Sequence, residues 1–120
     1  MNKFSKICEN RVNIGVSTLN TELVYLTENN QQVGSLLLIY EEGKASVFSL
    51  EILSDYRKKG YGRKLMENAI KRCKEKNIPL LELNTDIDNN PANNLYLSMG
   101  FELKGLKDGF NNYIKNIGDF

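Results

Sequence analysis

Basic residues and glycines are concentrated in one short stretch, residues 57–62 with the sequence RKKGYG, and Arg63 follows it. The stretch comes after an apolar segment and before a segment with helical periodicity, so it is predicted to be a strand-to-helix turn. Such a turn leaves backbone N–H groups unpaired at the positive end of the helix dipole, and glycine lets a phosphate approach them. The pattern predicts a pyrophosphate-binding loop, with an ordinary solvated basic turn as the alternative.

Two other kinds of nucleotide-binding loop are absent from the sequence. A P-loop needs GxxxxGK[ST] and a dinucleotide-binding turn needs GxGxxG, and neither string occurs. The predicted phosphate loop is therefore of a different kind.

The chain contains no histidine. This excludes Ser-His-Asp and Cys-His catalysis and imidazole metal sites, so proton transfer falls to Glu, Asp, Tyr, Lys or Cys side chains. The two cysteines, Cys8 and Cys73, are too few and too far apart for a disulfide framework or a Cys-x-x-Cys metal site. No metal is expected.

Three apolar segments before the phosphate loop predict an antiparallel meander, because they are rich in β-branched, aromatic and leucine residues and are separated by polar turns. They cover residues 22–27, 33–40 and 45–53. Residues 11–17 are predicted to add an edge strand before them, with residues 19–21 as the turn.

The spacing of the apolar residues changes after the predicted phosphate loop. Apolar residues recur every three or four positions over residues 60–76, which predicts an amphipathic helix. A strand at 80–84 follows as in a crossover connection, and a second helix is predicted from Pro91 to a stop at Gly100. Two last strands are predicted at residues 101–106 and 113–117, around a turn at 107–109.

Two motifs resemble those of the GNAT N-acetyltransferases. The family's pyrophosphate loop, [QR]xxGx[GA], is matched by Arg57, Gly60 and Gly62, and its later motif, NxxAxxLYxxxGF, is filled at every fixed position from Asn89 to Phe101. The motifs occur in the family's order, and the resemblance covers roughly residues 33–117. It implies an enzyme that transfers an acetyl group from acetyl-CoA to an amine by direct attack in a ternary complex.

The resemblance also implies the fold. We expect one α+β domain over residues 1–120, with a mixed, mostly antiparallel central sheet, splayed middle strands and flanking helices. Family members usually carry two helices between their first two strands, but only about 20 residues precede the strand at 22–27, and they show no helical periodicity. We therefore expect these two helices to be missing and the acceptor site to be open. Either a protein or peptide segment or a second copy of the chain would complete it.

The roles of individual residues follow from the same resemblance. The backbone of Leu50 and Ile52 is expected to hold the pantetheine arm and the acetyl carbonyl, and the Asn89 side chain to touch that arm. The expected pyrophosphate ligands are Arg57, Lys58, Gly60, Tyr61, Gly62 and Arg63. Tyr96 is expected to be the general acid, because a phenol can hand a proton to the leaving thiolate.

Two glutamates are candidates for the general base, and a water relay is the third alternative. Glu82 matches the position from which some protein N-terminal acetyltransferases of the family take their base, and Glu51 lies beside the presumed acetyl position. The pKa of a glutamate, about 4.3, lies far below that of a lysine ammonium, about 10.4, and less far below that of an α-ammonium, about 8. Proton transfer from an α-ammonium to a glutamate is therefore less unfavourable. An α-amine is therefore the easier acceptor.

The overall composition narrows the partners. With a net charge of +1, nucleic acid is not expected as a partner, and no apolar run is long enough to span a membrane. The chain is expected to be cytoplasmic and to prefer a protein or peptide amine over a small amine. The alternative is a non-catalytic CoA-binding module that regulates a protein partner.

Overall fold

The computed structural model describes the backbone of residues 3–7, 10–14 and 20–118, and the side chains of residues 20–106 and 108–118. In that part of the chain it contains eight strands, two α-helices and one short 3-10 helix. In chain order they are β1 (Lys3–Ile7), β2 (Asn10–Ile14), β3 (Thr21–Glu28), β4 (Gln31–Glu41), β5 (Lys44–Ile52), the 3-10 helix (Ser54–Tyr56), α1 (Tyr61–Glu75), β6 (Leu80–Asp86), α2 (Asn90–Ser98), β7 (Glu102–Lys107) and β8 (Phe110–Asn116).

The strands form a single sheet in the order β1-β2-β3-β4-β5-β6-β8-β7. Each neighbouring pair is antiparallel except β5 and β6, which are parallel and are joined through α1. A parallel pair needs such a crossover, because its strands start at the same edge of the sheet. The predicted mixed, mostly antiparallel α+β sheet is confirmed.

The N-terminal part differs from the prediction. The strand expected at 11–17 is observed as β2 (Asn10–Ile14), and it is interior because β1 pairs with its other side. Strand β1 was not predicted. Residues 15–17 of the expected strand, and Leu19 of the expected turn, lie outside the described residues. The described residues before Thr21 form these two strands and no helix.

One face of the sheet carries the core. Alternate residues of β3, β4, β5 and β6 are buried, and the apolar side of α1 packs against them. The fully buried side chains of α1 include Leu65, Met66, Ala69 and Cys73. The 3.6-residue period that predicted this helix therefore identified the surface that it buries.

A buried ion pair fixes the last turn of α1. Glu22 of β3, which is 3% exposed, accepts hydrogen bonds from the Arg72 guanidinium and from the Tyr40 hydroxyl, the latter at 2.5 Å. Burial and the adjacent Glu22 carboxylate raise the pKa of Tyr40, so its hydroxyl stays protonated. The network ties α1 to β3 and β4.

No helix in the described part of the chain is long and apolar enough to cross a membrane.

Candidate functional site

Strands β5 and β6 separate before they end. Their paired residues run only from Lys44 and Leu80 to Val47 and Leu83, although β5 continues to Ile52 and β6 to Asp86. A groove of about 1150 Å³ opens between the diverging strands and extends to the starts of α1 and α2. We call it the splay groove. Ten of the eleven predicted site residues line it, namely Leu50, Ile52, Arg57, Lys58, Gly60, Tyr61, Gly62, Arg63, Asn89 and Tyr96.

A β-bulge shapes one wall of the groove. Ser35 of β4 pairs with Glu51 and Leu37 pairs with Phe48, so two residues of β5 lie opposite a single residue of β4. Ser49, inside the bulge, has a φ of 55°. A bulge shifts the alternation of side chains by one position. Leu50 and Ile52 consequently pack against the core, whereas Glu51 is exposed.

Gly34 lies at the bottom of the same wall. A Cβ at this position would lie 2.5 Å from Ile52 Cδ1 and 3.2 Å from the Glu51 carbonyl oxygen. A side chain at this position would displace the end of the Ile52 side chain and press against the Glu51 carbonyl. Glycine therefore allows β4 and β5 to approach closely where the groove begins.

The start of α1 forms the basic end of the groove. Its N-cap is Gly60, with a φ of 82°, and no side chain caps the helix. The first turn contains no acidic residue, while Arg57, Lys58, Lys59 and Arg63 are exposed around it. The first backbone N–H groups of a helix have no partner within the helix. They point, with the positive end of the helix dipole, at a place suited to an anion.

Side chains hold this loop in place. The Nε of Arg57 donates to the Ile52 carbonyl oxygen at 3.1 Å, and the Nη2 of Arg63 donates to the Ser98 hydroxyl at 2.6 Å. The Tyr61 hydroxyl donates to Glu28 at the end of β3. Contacts to β5, α2 and β3 thus fix the loop before any ligand binds. A Cβ at Gly60 would meet no atom within 4 Å, so the space over the loop is open.

The start of α2 is built differently. Asn89 is its N-cap, and the Asn89 Oδ1 accepts a hydrogen bond from the Ala92 N–H at 3.2 Å. Pro91 lies in the first turn, where its missing N–H is not needed. Because Asn89 lines the groove and its Oδ1 is used for capping, we expect the side-chain Nδ2 to be the group available to a ligand.

Asn93, one turn into α2, is buried and joins several elements. Its Nδ2 donates to the carbonyl oxygens of Asp86, Ile87 and Asn89 at 3.1, 3.4 and 2.9 Å. Its Oδ1 accepts from two side chains of β8, Asn111 Nδ2 at 2.9 Å and the Tyr113 hydroxyl at 2.6 Å. The sequence interpretation did not single out this residue. The available signal was an asparagine on the apolar side of a helix, where it needs hydrogen-bond partners.

Tyr96 lies on the same side of α2 as Asn93 and lines the groove. It is 4% exposed, and its ring packs against Phe101 and Tyr113 with centroid distances of 5.9 and 5.7 Å. Burial, with a smaller contribution from Tyr113, raises the pKa of Tyr96 to about 12. The phenol therefore stays neutral and able to donate a proton at physiological pH.

The two glutamates that are candidates for the general base, Glu51 and Glu82, differ in position. Glu51 lines the groove, whereas Glu82 is the one predicted site residue that does not. Glu82 pairs with the Lys44 ammonium at 2.9 Å and accepts a hydrogen bond from Asn112 at 3.0 Å. The hydrogen bond to Glu82 and the charge of that carboxylate raise the pKa of Lys44, because they stabilise its ammonium form.

Three residues of the other wall were not predicted. Asn84 and Asp86 alternate with the buried Thr85 along β6, and Phe110 pairs with Asp86 across to β8. All three line the groove. They project from the side of the sheet away from the core, so the groove is accessible from that side as well as from the helix side.

Comparison with known proteins gives a family match over most of the chain. The model of the acetyltransferase (GNAT) family matches residues 10–101. The uncharacterized protein YxbD of Bacillus subtilis is 37% identical over 81 residues, which are 68% of this chain and 50% of that protein. The [ribosomal protein bS18]-alanine N-acetyltransferase of Haemophilus influenzae is 34% identical over 98 residues, 82% of this chain and 64% of that enzyme.

The chain thus spans between half and two thirds of the length of these two relatives. Among solved structures, the PaiA N-acetyltransferase of Thermoplasma acidophilum in complex with coenzyme A has a TM-score of 0.77. It is 21% identical, and the match covers 81% of this chain and 61% of the other. At this identity the likeness shows the fold.

Proposed function

This chain belongs to the acetyltransferase (GNAT) family, and from that premise we propose that it is an N-acetyltransferase that moves the acetyl group of acetyl-CoA to an amine. The observation that carries the proposal is the composition of the splay groove. One end is an uncapped, basic helix start, and the wall contains a buried tyrosine with its proton retained. The basic helix start suits the anionic phosphates of acetyl-CoA, and the protonated tyrosine suits the leaving thiolate.

The residues fit acetyl-CoA in the following way. The N–H groups at the start of α1, with the nearby basic side chains, would hold the pyrophosphate, and the backbone of Leu50 and Ile52 would face the pantetheine arm and the acetyl carbonyl. The Asn89 amide nitrogen would donate to the pantetheine arm. Acetyl-CoA supplies the thioester carbon that the amine attacks. An N-acetyltransferase with a similar fold has been solved in complex with coenzyme A, which supports coenzyme A as the ligand of the groove.

Tyr96 is proposed as the general acid. When the amine nitrogen bonds to the acetyl carbon and the C–S bond breaks, the Tyr96 hydroxyl gives its proton to the sulfur. The amine loses one proton to a base, and a proton returns from the base to the Tyr96 oxygen through water, so that an amide, a free thiol and the neutral phenol result. The raised pKa of Tyr96 keeps the donor protonated until the thiolate forms.

For the base we propose Glu51, with Glu82 as the rival. Glu51 lines the groove and is exposed, whereas Glu82 already holds Lys44 and Asn112. Glu51→Gln and Glu82→Gln variants separate the two, since both keep the size of the side chain. The variant that removes the base lowers kcat/KM and removes the acidic limb of its pH profile. Retention of that limb in both variants would favour a water relay.

The proposed acceptor is an α-amine of a protein or peptide in the cytoplasm. A relative that acetylates the alanine of a ribosomal protein supports a protein amine. The groove is also accessible from the side of the sheet away from the core, past Asn84, Asp86 and Phe110. A second copy of the chain as part of the acceptor site is the other version, and analytical ultracentrifugation with and without acetyl-CoA would detect it.

The test offers acetyl-CoA with three acceptors: a peptide with a free N-terminus and an internal lysine, the same peptide with a blocked N-terminus, and a polyamine. Mass spectrometry identifies the acetylated amine, and release of the CoA thiol gives the rate. Acetylation of the free N-terminus alone is expected. Binding of acetyl-CoA without acetylation of any amine would overturn the enzyme proposal and favour the regulatory CoA-binding module.

A further inference from the structure

Asn93 uses its whole hydrogen-bonding capacity inside the protein. Two N–H donors serve three backbone carbonyls, and the carbonyl oxygen accepts from two side chains of β8. The residue is 9% exposed. A buried amide is costly unless it is fully bonded, and leucine or isoleucine fills a buried helix position without that requirement. Packing alone therefore does not account for an asparagine here.

The partners of Asn93 indicate what the residue does. The carbonyls that it binds belong to residues 86–89, the loop between β6 and α2, and this loop carries the N-cap Asn89. On its other side, Tyr113 donates to Asn93, and the Tyr113 ring packs against Tyr96. Asn93 is therefore the link between the groove-lining loop and the aromatic side chains around the proposed acid.

Helix geometry strengthens this link. Asn89 precedes Asn93 by four residues and Tyr96 follows it by three, so all three lie on one side of the start of α2. The loop from β6 is bonded within itself by the Asp88 N–H to Asp86 Oδ1 and by the Asn89 N–H to the Asp86 carbonyl. Asn93 fixes this preformed loop against β8.

We propose that Asn93 is a positioning residue for acetyl transfer, a role that depends on the proposed function: it holds the loop 86–89 and the Tyr113 hydroxyl so that Tyr96 points at the leaving sulfur. Asn93 is not assigned contact with either substrate. A shift of a proton donor by about 1 Å can lower a rate by one or two orders of magnitude. The effect of Asn93 should consequently be transmitted through Tyr96.

The test is a double-mutant cycle. Asn93→Ala is made with Tyr96 present and with Tyr96→Phe, and the exposed Asn94→Ala on the same helix is the matched control. We expect Asn93→Ala to lower kcat by about 10-fold with Tyr96 present and by less than about 2-fold in the Phe background. Asn94→Ala should change neither. An equal loss in both backgrounds would overturn the proposal, since a purely structural defect lowers activity regardless of Tyr96.

Hydrogen exchange gives a readout that does not need turnover. Amides of residues 86–90 should exchange faster in Asn93→Ala than in the wild type and in Asn94→Ala. If the wild-type protein acetylates nothing, the proposed function fails, and exchange alone decides whether Asn93 positions this loop. Unchanged exchange at these amides would overturn the positioning role.

A milder variant keeps the test valid if Asn93→Ala does not fold. Tyr113→Phe removes one hydrogen bond to Asn93 and leaves the ring that packs on Tyr96. We expect about a threefold lower kcat with Tyr96 present and no further loss in Tyr96→Phe. A wild-type kcat in Tyr113→Phe would contradict the link between β8 and the acid.

Discussion

The two α-helices begin at the same groove, and their first turns are built in opposite ways. The start of α1 has a glycine in the left-handed region, no side-chain cap and exposed basic residues. The start of α2 has an asparagine cap, a proline and a buried asparagine that binds the preceding loop. In the described residues, a side chain caps the start of α2, whereas no side chain caps the start of α1.

This difference suggests different roles for the two helix starts: α1 is suited to binding an anion, and α2 is suited to positioning Tyr96. A helix start that no side chain caps is a suitable place for an anion, and the first turn of α1 is of this kind. The first turn of α2 is occupied by its own side chains, which makes it a rigid support for Tyr96.

The largest effect is expected at α2. Tyr96→Phe should lower kcat by about 100-fold, because it removes the proton donor and leaves the ring packing intact. The affinity for acetyl-CoA should change little, since the proposed phosphate contacts lie at the start of α1. Steady-state kinetics with calorimetry test this. A kcat within about twofold of the wild type would exclude Tyr96 as the acid.

Salt should act on α1. Raising the ionic strength from about 0.05 to 0.5 M should weaken acetyl-CoA binding by about 10-fold, because the basic loop is exposed and its attraction is screened. At saturating substrate, kcat should not follow this change. A salt-independent dissociation constant would mean that the basic side chains do not take part in binding.

Removing the cap of α2 should have a smaller effect. Asn89→Ala should lower the free energy of unfolding by about 1 kcal/mol and weaken acetyl-CoA binding by about fivefold, since one cap and one donor are lost. The neighbouring Asn90→Ala is the control, because no side-chain hydrogen bond of Asn90 is found in the described residues. Denaturant titration and calorimetry measure both quantities. Equal values for the two variants would contradict the role of Asn89.

A further effect concerns pH. The pKa of Tyr96 rises from its ordinary value of 10 to about 12 in the folded protein, which favours the neutral form. Its contribution to stability is thus complete below pH 10 and is lost as the pH rises through 12. Between pH 10 and 11.5 the wild type should lose more stability than Tyr96→Phe. Parallel losses in denaturant titrations would argue against a buried, neutral phenol.

Much of this architecture is encoded locally. The helix predicted over 60–76 is α1, Tyr61–Glu75, because its apolar residues recur with the helical period. The strand after it is parallel to β5, as a crossover requires. The residues of the two motifs also converge on one groove. Local periodicity was sufficient for the helix and the strand after it, whereas the shared groove was expected from the family resemblance.

Features that depend on distant contacts could not be predicted in this way. The ion pair of Glu82 with Lys44 follows from the register of β5 against β6, and the role of Asn93 follows from its contacts with β8. The bulge at Ser49 depends on its pairing with β4. Strand β1 was missed because residues 3–7 contain too few apolar residues for a clear strand pattern.

The most direct test of the central claim is a calorimetric titration of acetyl-CoA into the wild type, Gly60→Glu and Gly43→Glu. Both glycines have positive φ and open space around them, but Gly43 lies at the far end of β4 and β5. The account predicts micromolar binding to the wild type and to Gly43→Glu, and at least about 100-fold weaker binding to Gly60→Glu, where a carboxylate occupies the phosphate position. Equal binding to all three proteins, or none to the wild type, would contradict it.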